Sequence, residues 1–119
     1  MYKLPKRRIL RQKGDFQRVY HLGKSYANHY LVIYVFRSNG NEDKVGFAAG
    51  KKLGNAVTRN RVKRLMRECF RLNQDMIKPG FTLLLVGRKG AVSEKYEKIE
   101  NAFLNLGRKA GILKQGARR

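Results

Sequence analysis

The residues of this chain with the clearest chemical potential are positively charged, and they are concentrated in the segment 51–71. This segment reads KKLGNAVTRNRVKRLMRECFR, and six Lys or Arg residues from Arg59 to Arg71 are opposed by Glu68 alone. On a helix, like charges three or four positions apart repel by about 0.2–0.5 kcal/mol per pair. The phosphates of a polyanion would turn that repulsion into attraction, so the segment predicts a nucleic-acid-binding surface rather than a merely solvated helix.

Groups that could catalyse hydrolysis are sparse and scattered in the sequence. A protein nuclease needs carboxylates gathered around metal ions, or an acid–base set of side chains. The eight acidic residues are Asp15, Glu42, Asp43, Glu68, Asp75, Glu94, Glu97 and Glu100. The segment 50–55, GKKLGN, lacks the spacing of a phosphate-binding P-loop. The sequence therefore predicts no catalytic residues, no metal site and no cofactor bound by a protein motif.

Composition favours nucleic acid over a membrane as the partner. The 119 residues include 28 Lys and Arg against 8 Asp and Glu, a net charge of +20, and 42% are hydrophobic, enough for one small core. An anionic membrane surface is the alternative, but Trp is absent and the apolar stripes are modest. No apolar run could span a bilayer, no secretory signal is visible, and Cys69 is the single cysteine. We therefore expect a cytoplasmic protein with no membrane partner.

The cationic segment is predicted to lie on an α-helix, because its apolar residues recur with helical spacing. The apolar face comprises Val62, Leu65, Met66, Cys69 and Phe70. The opposite face comprises Asn60, Arg64, Arg67 and Arg71, with Lys63 beside them and Arg59 in the first turn. Asn55 is the predicted N-cap, with Thr58 as the alternative, and Lys51 and Lys52 extend the positive surface ahead of the helix.

Aromatic residues on two neighbouring elements offer a second kind of nucleic-acid contact. Residues 15–22 are predicted to form a short helix with Phe16 and Tyr20 on one side. Residues 26–37 are predicted to form a strand that is apolar on both faces, with Tyr34 on one of them. Tyrosine rings can stack on bases. For Phe16 and Tyr20, spacing alone favours core packing, with an exposed stacking surface as the alternative.

The order of the predicted elements defines the fold class. The elements are a helix at 15–22, strands at 26–37 and 45–50, the cationic helix, a strand at 81–88 and a helix from Ser93, with a further short strand near 23–28. The strands at 26–37 and 45–50 are expected to pair as a hairpin, and the strands that flank the cationic helix are expected to be parallel. This order predicts an α+β two-layer sandwich, in which one mixed sheet of about four strands packs against helices.

RNA suits these elements better than DNA. Sequence-specific DNA-binding proteins usually show a helix-turn-helix pair or dimerisation signals, and neither is evident. A sheet with tyrosines beside a cationic helix suits single-stranded and structured RNA. We therefore expect residues 1–119 to form a single RNA-binding domain with basic flexible tails at about 1–8 and 112–119. The alternatives are a basic ribosomal or ribosome-assembly protein and a protein-only ribonuclease.

The segment 51–68, KKLGNAVTRNRVKRLMRE, closely resembles the signature of the bacterial ribonuclease P protein component family. The arginine-rich motif of the family corresponds here to Arg59-Asn60-Arg61, followed by Lys63-Arg64 and Arg67-Glu68. The resemblance extends to Asp15-Phe16-Gln17, Ala27-Asn28, Tyr34, Val45-Gly46 and the apolar strand from Phe81. Tyr20 stands where the family frequently has Phe, a departure that keeps the aromatic character.

The resemblance implies a division of labour between protein and RNA. Ribonuclease P removes the 5′ leader from precursor tRNA. In this family the catalyst is a large RNA with bound magnesium ions, and the protein is a small accessory subunit without catalytic residues. The expected partners are therefore the ribonuclease P RNA and the 5′ leader of precursor tRNA, and the expected magnesium ions belong to the RNA subunit.

The resemblance also implies roles for particular residues. Those expected to contact the catalytic RNA are Lys51, Lys52, Arg59, Asn60, Arg61, Lys63, Arg64 and Arg67. Phe16, Tyr20 and Tyr34 are expected to line a cleft between the first helix and the sheet that holds the single-stranded leader. This expectation overrides the preference for core packing that spacing alone gave to Phe16 and Tyr20. The family further implies a rare left-handed connection through the cationic helix, against the usual right-handed rule.

Overall fold

Helices pack on both faces of a mixed sheet, more extensively on one face than on the other. The computed structural model describes residues 3–38 and 43–114. Within those residues the helices are α1 (Lys13–Leu22), α2 (Ala56–Asn73) and α3 (Tyr96–Ala110), and the strands are β1 (Lys24–Ala27), β2 (Leu31–Arg37), β3 (Val45–Ala48) and β4 (Phe81–Gly87). The α+β class and the mixed sheet of about four strands are confirmed, and β1 is the short strand expected near residues 23–28.

The described strands lie in the order β1-β2-β4-β3. β2 pairs antiparallel with both β1 and β4, whereas β3 pairs with β4 in parallel, so the prediction of parallel strands flanking α2 is confirmed. The predicted hairpin of β2 with β3 is wrong, because β4 lies between them. The physical reason lies in β4, where Leu83, Leu84 and Leu85 are all buried although they face alternate sides of the sheet. Such a strand is most stable at the centre. The left-handed sense of the β3-α2-β4 connection stays a prediction.

The long strand predicted over residues 26–37 is two strands, because the chain turns at Asn28. The Asn28 side-chain oxygen accepts hydrogen bonds from the backbone N–H groups two and three residues later, both at 3.0 Å. Its side-chain nitrogen donates to a carbonyl of α3 at 3.1 Å, which attaches the turn to that helix. In one continuous strand, alternation would place Tyr30 on the same face as Tyr34. Instead, Tyr30 lies outside β2 at the edge of the main core, with the Lys98 ammonium 5.9 Å from its ring centre.

The main core lies between the sheet and the layer formed by α2 and α3. The apolar stripe predicted for the cationic helix is confirmed. Its buried members are Val62, Met66, Cys69 and Phe70, and Leu65 is partly buried at the edge. The last helix faces this core with Ile99, Phe103 and Leu106, and it begins at Tyr96 rather than at the predicted Ser93. Phe70 links sheet and helices, because its ring centre lies 6.4 Å from those of Phe47 and Phe103 in edge-on contacts.

The opposite face of the sheet is only partly covered, by α1. Its small second core consists of buried Leu10, Val19 and Leu84, with partly buried Phe16, Tyr34, Phe36, Ala48 and Val86 around them. These surrounding side chains are only partly buried, because neither α1 nor the segment before it extends over all of them. Part of the face therefore stays open as a cleft beside α1.

Segments beyond the outer helices contact the domain where the structure describes them. The Arg8 guanidinium donates to the Gln74 side chain at 3.1 Å, and Ile112 is fully buried. The tails predicted as flexible, about 1–8 and 112–119, therefore include residues that pack against the fold. The outermost tail residues, 1–2 and 115–119, lie outside the described residues.

Candidate nucleic-acid interface

The cationic helix begins with a defined cap. The side-chain oxygen of Asn55 accepts the backbone N–H of Thr58 at 3.0 Å, so Asn55 is the N-cap and the Thr58 alternative is wrong. Gly54 precedes it with φ of +137°, a conformation that other residues rarely adopt. This bend lets a 3-10 turn that carries Lys51 and Lys52 lead directly into α2, so both lysines lie immediately before its N-terminus.

Most residues predicted to contact RNA lie on the solvent-accessible side of α2, which we call the front of α2, or on the turn that precedes it. The exposed members are Lys51, Lys52, Asn60, Arg64 and Arg67, and the partly buried members are Arg59, Arg61 and Lys63. The Arg67 guanidinium carbon lies 5.7 Å from the ring centre of Phe47. This cation–π contact supports one face of the guanidinium from below and leaves the exposed side chain available to a phosphate.

Arg61 is the predicted RNA contact that the structure turns toward the protein. Its terminal nitrogens donate to the backbone carbonyls of Val92 at 3.1 Å and Glu94 at 2.7 Å. These bonds fasten the loop between β4 and α3 to the first turns of α2. Arg59 is also partly buried, but its buried Nε has no hydrogen-bond partner within the described residues. If this side chain rotated toward a phosphate, a phosphate oxygen would accept a hydrogen bond from the Nε–H group.

The acidic residue of α2 neutralises the far end of the positive surface. The Glu68 carboxylate accepts hydrogen bonds from the Arg71 guanidinium at 2.6 and 3.1 Å. These bonds lower the pKa of Glu68 below its usual value, so the carboxylate stays ionised at neutral pH. The positive surface is therefore concentrated over residues 59–67, near the N-terminus of α2, where the helix dipole also favours anions.

The cleft brings together the three aromatic residues predicted to line it. The ring centres of Tyr20 and Tyr34 lie 5.0 Å apart with their planes at 44°, and Phe16 lies in the second core beside them. Tyr20 is 54% exposed, so the spacing-based preference for core packing is wrong for this residue. Burial raises the pKa of Tyr34, and the neighbouring Tyr20 raises it further through charge repulsion and a hydrogen bond. The pair presents two aromatic rings at the border between core and solvent.

The position of β3 beneath Phe16 is Gly46, where the packing leaves no room for a side chain. A Cβ added at Gly46 would lie 2.9 Å from Phe16 Cε1 and 3.0 Å from Leu10 Cδ1. Ala48 and Val86 continue the partly exposed floor. Sequence reasoning missed Val86 as a cleft residue. The signal that could have found it is the apolar character of β4 at both sets of alternate positions, combined with a first helix too short to cover a whole face.

The described residues hold no ready-made metal site. Within residues 3–38 and 43–114, no group of three or more His, Cys, Asp or Glu side chains could hold a metal ion. No helix in the same ranges is long and apolar enough to cross a membrane. The interface that these residues form is thus built from cations, aromatic rings and backbone turns.

A cationic helix on one face of a sheet and an aromatic cleft on the other face, within one α+β domain, define a class of small basic RNA-binding proteins. The family model for ribonuclease P matches residues 4–111. The "Ribonuclease P protein component" of Natranaerobius thermophilus is 42% identical over 89% of this chain and 92% of its own length. That of Clostridium novyi is 43% identical over 92% of this chain and 98% of its own. The structure of Staphylococcus aureus RNase P protein superposes with a TM-score of 0.81 at 30% identity, over 90% of this chain and 98% of that one.

The chain therefore belongs to the ribonuclease P protein family. It is the protein subunit of an endoribonuclease, the ribonucleoprotein that processes the 5′ ends of tRNA, and its partner is the ribonuclease P RNA. This assignment confirms the resemblance drawn from residues 51–68. It replaces the two alternatives, which were a basic ribosomal or ribosome-assembly protein and a protein-only ribonuclease.

Proposed function

We propose that the chain contributes two separate RNA contacts to ribonuclease P. The front of α2 with the preceding turn binds the catalytic RNA, and the cleft beside α1 binds the single-stranded 5′ leader of precursor tRNA. The proposed contacts to the catalytic RNA are Lys51, Lys52, Arg59, Asn60, Lys63, Arg64 and Arg67, with Arg61 acting mainly by holding the neighbouring loop. The proposed leader contacts are Phe16, Tyr20 and Tyr34.

The observation that carries the leader proposal is the half-exposed Tyr20–Tyr34 pair on a face of the sheet that α1 leaves open. Aromatic rings stack on any base, at about 1–3 kcal/mol per base, because every base has a π face. Ala48, a small residue that is only partly buried, keeps the adjacent part of the sheet low enough for a strand to approach. Such a cleft would hold leaders of different sequence, as an enzyme with many precursor substrates requires.

The cationic front supports the second contact through electrostatics. Each phosphate that a Lys or Arg neutralises releases counterions, which favours binding most strongly at low salt. The positive surface would also reduce repulsion between the leader and the catalytic RNA. We propose that the magnesium ions of the reaction are held by the RNA, and that the protein lowers the magnesium concentration required for assembly and cleavage.

The leader proposal is tested by comparing precursor and mature tRNA. Tyr34→Ala in the reconstituted holoenzyme should weaken precursor binding by about 5- to 100-fold and leave mature tRNA binding almost unchanged. Tyr30→Ala removes the same side chain outside the cleft, so it should leave the precursor-to-mature ratio at the wild-type value. An equal loss for precursor and mature tRNA in Tyr34→Ala would refute the leader contact.

The subunit proposal is tested by cleavage at low magnesium concentration. A bacterial ribonuclease P RNA should cut precursor tRNA at the mature 5′ end when this protein is added and much more slowly without it. The protein alone should cut nothing. Tight binding to the RNA without any rescue of cleavage would contradict the proposed role, and cleavage by the protein alone would overturn the assignment of catalysis to the RNA.

A further inference from the structure

A second groove of about 660 Å³ lies at the end of the sheet where β1 begins and β2 ends. The turn before β4 and the C-terminal end of α3 complete its walls. No residue predicted to bind RNA lines this groove. It is therefore separate from both the front of α2 and the rings of the cleft.

The lining of this distal groove combines cations with aromatic rings. Its charged residues are Lys24, Arg37 and Lys78, all exposed, and no acidic residue is among the described residues that line it. Its rings are Tyr26, Phe36 and Phe81, all partly exposed, and the Arg37 guanidinium carbon lies 5.2 Å from the ring centre of Phe81. A positive groove with aromatic platforms is the general design for binding single-stranded nucleic acid without sequence preference.

The distal groove meets the cleft at one residue of β2 but lies mainly on the opposite face of the sheet, the one on which α3 packs. On β2, Phe36 lines the groove and also packs in the second core with Tyr34, two residues or about 7 Å earlier in the strand. At the end of α1, Leu22 also lines the groove and is 68% exposed, but it does not face the same side of the helix as Tyr20. A strand that leaves the tyrosine pair along Phe36 therefore has to bend around the end of the sheet to reach the cations and the other two rings of the groove.

Sheet topology places the distal groove away from the start of the cationic helix. Phe81 in the groove is the first residue of β4, whereas Lys51 follows the end of β3, which runs parallel to β4. The start of α2 and the groove therefore lie at opposite ends of the sheet, with the cleft between them. An RNA strand held near the start of α2 and threaded through the cleft would leave the protein over the groove.

We infer that the distal groove binds the 5′-distal part of the precursor tRNA leader, after the strand has passed Tyr20 and Tyr34. Lys24, Arg37 and Lys78 neutralise its phosphates, and the neighbouring rings stack on its bases. The inference rests on the proposed leader contact of the cleft. It adds a length dependence: precursors with long leaders gain affinity from the groove, whereas short leaders end within the cleft.

The test uses the reconstituted holoenzyme and two precursors, with leaders of about 4 and about 16 nucleotides, spanning the range of known single-strand site sizes. The Lys24→Ala and Arg37→Ala variants and their combination change exposed side chains, so folding is expected to be preserved and is checked by circular dichroism. Lys98→Ala is the matched control, because it removes the same charge from α3 outside the groove and the cleft.

We expect the double variant to bind the long-leader precursor about 3- to 10-fold more weakly, with a smaller salt dependence, and to bind the short-leader precursor like the wild type. Lys98→Ala should leave the ratio of the two affinities unchanged. Equal weakening at both lengths would overturn the inference and place these cations against the catalytic RNA. No weakening at either length would overturn it as well.

A parallel Tyr34→Ala measurement separates this inference from the proposed function. Loss of affinity at both leader lengths supports the cleft contact, whatever the groove variants do. If Tyr34→Ala has this effect and the groove variants do not alter the length dependence, the groove inference alone fails. If Tyr34→Ala affects neither precursor, the cleft proposal itself fails.

Discussion

Among single residues, Tyr34 is the one whose acid–base chemistry the cleft changes. Burial, then charge repulsion from Tyr20 and a hydrogen bond with it, raise the pKa of Tyr34 above its usual value. A raised pKa keeps the phenol neutral, which suits a ring beside phosphates because a phenolate would repel them. We expect Tyr34 to ionise at higher pH than a free tyrosine, and Tyr20→Phe to lower the pKa of Tyr34 toward the usual value. An NMR titration of the tyrosine ring carbons measures both.

The same pKa shift has a consequence for stability at high pH. Because the folded pKa of Tyr34 lies above the unfolded one, its contribution to stability is complete below the unfolded pKa and is lost as the pH rises through the folded pKa. Tyr30→Phe is the control, since it removes a phenol elsewhere and should leave the titration of Tyr34 unchanged. A Tyr34 titration at or below the usual pKa would contradict the prediction.

Two arginines three residues apart on α2 are predicted to act differently. Arg61→Ala removes hydrogen bonds to the carbonyls of Val92 and Glu94, so it should lower the free energy of unfolding by about 1–3 kcal/mol. Arg64→Ala removes an exposed charge, so it should leave stability within about 0.5 kcal/mol and weaken binding to the catalytic RNA with a smaller salt slope. Urea unfolding and salt-dependent binding separate the two effects. Equal stability losses, or an unchanged salt slope in Arg64→Ala, would argue against these roles.

At the scale of elements, the position of α1 depends on a glycine in β3. A Cβ at Gly46 would meet Phe16 Cε1 at 2.9 Å, closer than real Cβ contacts allow, and Leu10 Cδ1 at 3.0 Å, which is tighter than most such contacts. Gly46→Ala should therefore displace α1 from the sheet, lower the free energy of unfolding by about 1–3 kcal/mol and weaken leader binding. Urea unfolding and the precursor-to-mature binding ratio measure the two effects.

Gly14→Ala provides the matched control for this prediction. Gly14 lies within α1, and a Cβ there would meet nothing within 4 Å. Because Gly14 lies in the first turn of the helix, where the cost of glycine is smaller than in a helix interior, this change should raise stability by at most about 0.5–1 kcal/mol and leave leader binding unchanged. If Gly46→Ala behaved like Gly14→Ala, the contact between β3 and α1 would not set the position of the helix.

The elements differ in how far sequence alone could predict them. The face of α2 and its Asn55 cap were predictable, because helical spacing and capping are local. The pairing of β2 with β4 was not, because the central position of β4 depends on both faces being buried by helices distant in sequence. The break at Asn28 was hidden for a similar reason, since its side chain is fixed by a bond to α3. At the site, the residue types alone predicted the positive surface of α2. Only the fold shows that Arg61 bonds to the protein while Arg64 is exposed.

At the scale of the whole molecule, the net charge of +20 on 119 residues opposes folding. The core that resists this repulsion lies mainly between α2, α3 and the sheet, while α1 is held by a much smaller set of contacts. An anion that binds only the folded state would stabilise it, by about 2.7 kcal/mol at a concentration one hundred times its dissociation constant. The chain is therefore expected to be markedly more stable in the presence of polyvalent anions, and most stable with its RNA partner.

Millimolar sulfate, compared with chloride at the same ionic strength, tests this expectation, because screening is then equal in both samples. We expect sulfate to raise the free energy of unfolding measured by circular dichroism in urea. The gain should shrink when Lys52 and Arg64 on the cationic front are both replaced by Ala, whereas Lys98→Ala should preserve it. A stabilisation that the front variant retained in full would indicate general exclusion of sulfate from the protein surface. Equal stability in both salts would show that the folded domain withstands its own charge without a bound anion.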